Sequence, residues 1–166
     1  MAAHKYPPLG SVSSGTLRPQ DLLLAFADVL ERYARQNRAL SSYRADIRSA
    51  RTLAARIEAG RKLDESDDAN DHVNGLIDAL NEIAPPHAYF GAHPGDGSDF
   101  GYWIFDDIER TVEENDGVVV SDLADVPVMH RGDVLYVNDH GNATLYWHEP
   151  PTRRREGKLT EIWSIV

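Results

Sequence analysis

Apolar side chains in the first half of the chain recur three and four residues apart, which is the spacing of amphipathic helices. The first such run follows Pro19, a residue suited to a first helical turn, and predicts a helix over about residues 19–36. A second run predicts a helix over about residues 39–59, with steps like those of a coiled-coil seam, ended by Gly60. We expect these two helices to form a hairpin.

A third helix is predicted after a strongly acidic segment, with Ser66 as its N-cap and the proline pair at 85–86 after its end. Its apolar residues share one face. At 100° per residue, Asp71, Asp78 and Glu82 fall on the opposite face. We therefore expect these carboxylates to face solvent or a partner.

The pattern then changes to alternation of apolar and polar residues, with aromatic and β-branched side chains that favour strands. The residues at 139–142 tolerate the backbone of a tight turn and predict a hairpin between two of the strands. A short acidic helix is predicted within residues 106–115. Strands are predicted at 87–91, 100–105, 117–121, 133–138, 143–148 and 159–166.

These elements predict an α+β fold in which N-terminal helices, a helical hairpin plus a third helix, pack on a mostly antiparallel C-terminal β-sheet. The length of 166 residues suits a single domain. Within it we expect a flexible or extended N-terminal segment at 1–16, a helical part at 17–84 and a sheet part at 85–166.

The composition limits the cellular compartments in which the protein is expected. The chain has no cysteine, which excludes disulfides and thiolate metal sites and favours a reducing cytoplasm. No apolar run approaches the roughly 20 residues that cross a bilayer, so no membrane association is expected. Residues 1–10 lack the apolar core of a signal peptide.

Charge is divided unevenly along the sequence. Residues 1–63 carry 11 Lys and Arg against 5 Asp and Glu, residues 64–125 carry 1 against 17, and residues 126–166 carry 5 against 5. The net charge is −10. Clustered carboxylates create a potential that steers cationic partners and repels phosphate backbones. The charge therefore favours a basic protein as partner and weighs against direct nucleic-acid binding.

The acidic middle of the chain predicts a partner-binding face. The alternative interpretation is internal pairing, in which Arg44, Arg48 and Arg51 of the second helix neutralise carboxylates of the third. The excess of carboxylates over bases indicates that an acidic face should remain. The residues predicted to form it are Asp67, Asp68, Asp71, Asp78, Glu82, Asp106, Asp107, Glu109, Glu113 and Glu114.

A second candidate site is the glycine-rich loop between the first two predicted strands, where two His and two Asp residues lie close together. Histidine and carboxylate groups are ligands for Zn²⁺, Fe²⁺ or Mn²⁺, and a further His comes from the hairpin. The alternative is an ordinary turn, because the spacing matches no defined ligand motif. The ligands in the metal interpretation are His87, His93, Asp96, Asp99 and His140.

Three segments carry a resemblance. They are GTLRPQDLL at 15–23, APPHAYFGAHPGDGSDFGYW at 84–103 and YVNDHGNATLY at 136–146, which together hold 40 of the 166 residues. They resemble segments of small proteins encoded by bacteriophages, prophages and plasmids. The resemblance implies an accessory gene of a mobile element, a class that often encodes small acidic proteins that block host nucleases or transcription factors. It implies no catalytic residue.

The leading hypothesis from the sequence is a non-enzymatic acidic protein in the cytoplasm of a bacterial host, without a cofactor. It would bind and inhibit a basic, nucleic-acid-binding host protein, such as a defence protein, by nucleic-acid mimicry. One alternative is a metal-dependent enzyme that uses the His and Asp site. Another is a structural or assembly protein that self-associates as a homodimer through the seam of the helical hairpin.

Overall fold

The chain forms two compact units in a computed structural model that describes residues 6–35, 38–63 and 68–165. Each unit has its own elements and core. Their bounds are Met1–Ala84 with Tyr89–Trp103 for the first unit, and Pro85–Ala88 with Ile104–Val166 for the second.

The first unit combines three α-helices with a three-stranded sheet of order β1-β3-β2. A 3-10 helix at Arg38–Tyr43 leads directly into the second α-helix. The elements are β1 (Gly10–Ser13), α1 (Pro19–Ala34), α2 (Arg44–Glu58), α3 (Ala69–Asn81), β2 (Ala88–His93) and β3 (Asp96–Ile104).

The ends of the helices follow local chemistry. Pro19 occupies the first turn of α1. Gly60 ends α2 with φ of 62°, and the amides of Gly60 and Arg61 bond back to Ile57 O and Arg56 O. This pair of hydrogen bonds is a Schellman motif, which provides donors for carbonyl groups that have no partner within the helix. The predicted stop at Gly60 is confirmed.

The core of the first unit lies between the helices and the three-stranded sheet. Phe26 of α1 meets Phe90 of β2 edge to face, with ring centroids 4.9 Å apart. Phe90 in turn packs on Tyr102 at 4.9 Å. The buried Tyr102 hydroxyl donates to Leu80 O at 3.2 Å, and burial raises the pKa of that phenol. Aromatic packing thus joins α1 to the sheet, and the Tyr102 hydrogen bond joins α3 to it.

Strand β1 lies at the edge of this sheet, antiparallel to β3. Gly10 pairs with Tyr102 and Ser11 pairs with Gly101 in the register. A Cβ on Gly101 would clash with Gly10 O, so only glycine allows the two backbones to approach this closely. In the N-terminal segment at 1–16, which was expected to be flexible or extended, residues 10–13 form a strand, and residues 1–5 lie outside the described residues.

The second unit has a four-stranded sheet of order β4-β5-β6-β7 and one short helix. Strands β4 and β5 are parallel, joined through a 3-10 helix at Leu123–Asp125, while the other pairs are antiparallel. The elements are α4 (Ile108–Glu114), β4 (Val118–Val120), β5 (Gly132–Val137), β6 (Ala143–Glu149) and β7 (Lys158–Ile165).

The hairpin between β5 and β6 has the predicted turn. Asn138 N donates to Asn142 O at 3.0 Å, and Gly141 adopts φ of 80°. The last strand pairs along β6, and Trp163 Nε1 donates to Pro86 O at 2.9 Å. That bond fixes the 85–88 segment to the second unit.

The predicted α+β class is confirmed, with mostly antiparallel pairing. The strands form two sheets where the sequence predicted one, and β4 pairs in parallel. The second helix begins at Arg44, because the residues before it form the 3-10 helix. The predicted N-cap Ser66 lies outside the described residues, and the side chain that caps α3 is Asp68. The single-domain interpretation stays a prediction.

Candidate functional site

Four of the predicted acidic residues lie along α3 and its end, and all four are exposed. Asp68 accepts a hydrogen bond from Asn70 N at 2.9 Å and caps the helix. Asp71 lies in the first turn, where a negative charge stabilises a helix. Asp78 and Glu82 follow toward its end. Asp67 lies outside the described residues.

The described ion pairs of the α2 arginines are made with α1 and not with this helix. Among the described residues, no ion pair joins α2 to α3, and Arg51 instead bridges Asp28 at 2.6 Å and Glu31 at 2.8 Å, both on α1. These contacts raise the pKa of Arg51 and lower that of Glu31. Internal pairing in the first unit therefore runs between α2 and α1, and it leaves the α3 carboxylates exposed.

One of these carboxylates has a neutral partner. The Tyr43 hydroxyl donates to Glu82 Oε1 at 2.5 Å, and this bond raises the pKa of Tyr43 to about 12. A hydroxyl donor orients the carboxylate and leaves its charge in place. The negative charge at Glu82 is thus held in position at the end of α3.

The other five predicted residues lie in and just before α4 of the second unit, and all are exposed. The one base among them is Arg110, which is 3.0 Å from Glu114 and 3.9 Å from Asp107. One base offsets at most one of the five negative charges, so most of the acidic charge at α4 remains. The two sets of carboxylates belong to different units, and a continuous face formed of both stays a prediction.

Exposed apolar side chains follow the acidic helix in the second unit. Val128 and Met129 are 66% and 74% exposed, and Leu123 is 37% exposed. They lie in the crossover between β4 and β5, which also carries exposed Asp122 and Asp125. Apolar side chains bordered by charge are a feature of protein interaction surfaces.

The glycine-rich loop makes the hydrogen bonds of a turn. His93 Nδ1 accepts from Gly95 N at 3.0 Å, and Asp96 Oδ1 accepts from both Ser98 N and Ser98 Oγ. The Ser98 bonds lower the pKa of Asp96. Asp99 accepts from Ser11 Oγ at 2.6 Å.

The metal interpretation needs a group of ligands. Within 6–35, 38–63 and 68–165, no three His, Asp or Glu side chains lie where they could hold one metal ion. His87, His93, Asp96, Asp99 and His140 therefore form no such group. His140 is an exposed residue of the β5–β6 turn, where its amide donates to Asn138 Oδ1.

The side chain of His87 pairs with a carboxylate that is far from it in the sequence. Its Nε2 lies 2.7 Å from Asp133 Oδ2, and the two side chains are 7% and 18% exposed. The pair joins the 85–88 segment to β5 inside the second unit. Since His87 also has a positive φ of 59°, this contact holds a residue in an uncommon conformation. The geometry explains His87 as a structural residue.

A second histidine of the same unit is short of a partner. His148 is 8% exposed, and its Nδ1 has no hydrogen-bond partner within the described chain. It lines a shallow pocket of about 270 Å³ with apolar residues and Lys158. The His130 ring lies nearly parallel to the His148 ring, with the ring centroids 6.3 Å apart. Sequence reasoning assigned no role to either histidine.

A concave site lies in the first unit, between α1 and α2. This cleft of about 830 Å³ contains Arg44, Arg48 and Arg51 together with three further arginines. The sequence indicated the row of arginines on α2, but only the packing of α1 shows that it borders a cleft.

No helix in the described ranges is long and apolar enough to cross a membrane. Comparisons with protein-family models, curated proteins and solved structures found no match. The resemblance to phage and plasmid proteins therefore stays an expectation.

Proposed function

We propose that this chain is a non-enzymatic binding protein of a phage or mobile element that uses acidic surfaces to bind a basic, nucleic-acid-binding protein of its bacterial host. One observation carries the proposal: the carboxylates of α3 are exposed, and among the residues that the structure describes no ion pair joins them to an arginine of α1 or α2. Unpaired surface carboxylates create the negative potential that a cationic groove recognises.

The second unit supports the same type of partner. Its acidic helix has a single base, Arg110, and the apolar side chains of Leu123, Val128 and Met129 are exposed farther along the chain. Apolar contacts give affinity once charge has guided the encounter. A protein partner uses both features.

The mechanism is competition. A nucleic-acid-binding protein binds phosphates through Lys and Arg side chains. Carboxylates on a protein surface can bind the same side chains in place of the phosphates. Asp71 and Asp78 lie two helical turns apart on one face of α3, about 10 Å along its axis. Occupation by this chain excludes the nucleic acid from the cationic groove.

Capture from a bacterial lysate on the immobilised protein tests the proposal. We expect basic proteins to be retained at about 0.1 M NaCl, where the Debye length is about 10 Å, and released by duplex DNA as competitor. The double reversal Asp71→Lys with Asp78→Lys should reduce retention about tenfold or more. The amide variants Asp71→Asn and Asp78→Asn should give a smaller loss with less disturbance of the helix.

The matched control is Glu149→Lys with Glu156→Lys, which makes the same change of net charge at exposed positions outside the predicted face. It should retain the same proteins as the unchanged chain, and circular dichroism should show folded helix in every variant. Equal losses in both double variants, or retention that duplex DNA does not reduce, would contradict the proposal.

A further inference from the structure

The cleft between α1 and α2 concentrates positive charge in a chain whose net charge is −10. Among the described residues, its lining includes one carboxylate, Glu31, and an apolar floor to which Ala34, Ile47 and Ala55 contribute. The arginines that line it are Arg35, Arg44, Arg48, Arg51, Arg56 and Arg61. A concave site with this excess of guanidinium groups is suited to an anion with several charges.

Helix geometry brings three of these arginines onto one face. At 100° per residue, Arg44, Arg48 and Arg51 lie within about 60° of one another, and they span about 10 Å along the axis. The length of α2 therefore presents guanidinium groups in a row rather than as a single point charge.

Two kinds of arginine line the cleft. Arg51 is held by Asp28 and Glu31, and Glu31 also pairs with Arg35 at 3.0 Å. Arg44 and Arg48, by contrast, are exposed and have no ion pair with any residue that the structure describes. The fixed pairs connect α2 to α1, while the open guanidinium groups keep their donors for a ligand.

Guanidinium groups match phosphate oxygens with two parallel hydrogen bonds, which makes arginine suited to phosphate recognition. A volume of about 830 Å³ lies within the range of small-molecule sites. The described lining has no aromatic ring on which a base could stack. The recognisable part of the ligand is therefore its charged groups.

We propose that this cleft binds a small ligand carrying several phosphate groups, with Arg44 and Arg48 contacting the phosphates and Arg51 fixing the wall. A small ligand fits better than a nucleic-acid strand, because the net negative charge of the chain repels an extended polyanion, whereas a concave arginine site focuses its field on a compact one. This site lies apart from the α3 carboxylates and does not depend on the proposed function.

Titration calorimetry on the full chain tests the site with three probes: inorganic tripolyphosphate, a nucleoside triphosphate and a single-stranded oligonucleotide. We expect both triphosphates to bind with one site per chain. The variant Arg44→Gln with Arg48→Gln should weaken them about a hundredfold, since each lost charged hydrogen bond costs about a factor of ten.

The control variant is Arg153→Gln with Arg154→Gln, which removes the same charge from an exposed loop of the second unit and should leave binding unchanged. Tighter binding of the nucleoside triphosphate than of tripolyphosphate would add the nucleoside to the recognised groups and support the site. Absence of triphosphate binding, equal weakening in the control, or preference for the oligonucleotide at equal phosphate concentration would overturn it.

Discussion

Single side chains decide how much charge each surface keeps. Arg51 takes two carboxylates of α1, so α1 supplies the acids that the sequence had assigned to α3. Glu82 accepts a hydrogen bond from the Tyr43 hydroxyl, which orients the carboxylate without cancelling its charge. These contacts join residues 20 to 39 positions apart in sequence. Such distances explain why spacing along the chain did not predict the partners.

The bond between Tyr43 and Glu82 predicts a pH effect on stability. Because the pKa of Tyr43 is raised from 10.0 to about 12 in the folded chain, the bond stabilises the fold below about pH 10, and this contribution is lost as pH rises toward 12. In urea unfolding, the wild-type chain should exceed Tyr43→Phe in free energy of unfolding at pH 8, and the difference should shrink between pH 10 and 12. A constant difference across that range would exclude the bond.

Elements with strong local patterns were predicted well. The three helices have apolar residues at spacings of three and four, and the β5–β6 hairpin has turn residues that specify its geometry. Strand β1 was expected only as an extended segment, because Gly10–Ser13 has no alternation of its own and becomes a strand through pairing with β3. The division into two sheets also depends on which strands pair, and a pattern within each strand does not specify its neighbour.

The pairing of β1 predicts the effect of a single methyl group. In Gly101→Ala the new Cβ would meet Gly10 O, so we expect a loss of about 1–3 kcal/mol and faster amide exchange in β1. Gly97→Ala, in the same strand with open space around the new atom, should change stability by less than about 0.5 kcal/mol. Equal effects of the two substitutions would mean that β1 does not pair closely with β3 in solution.

At the scale of the whole molecule, opposite charges occupy different surfaces. The first unit presents the exposed carboxylates of α3 and, between α1 and α2, the arginine cleft; the second unit presents the acidic α4. The sequence indicated the division of charge and the acidic residues. It could not indicate the cleft, since a concave surface requires two helices at a defined separation. The division suggests two classes of partner, a basic protein and a small polyphosphate.

The most direct test of the acidic surfaces is the rate of association between this chain and the partner captured from the lysate, measured by stopped flow at about 0.1 M and about 1 M NaCl. Screening shortens the Debye length to about 3 Å at the higher salt, so we expect the association rate constant to fall about tenfold or more. An association rate constant that is the same at both salt concentrations would contradict this expectation.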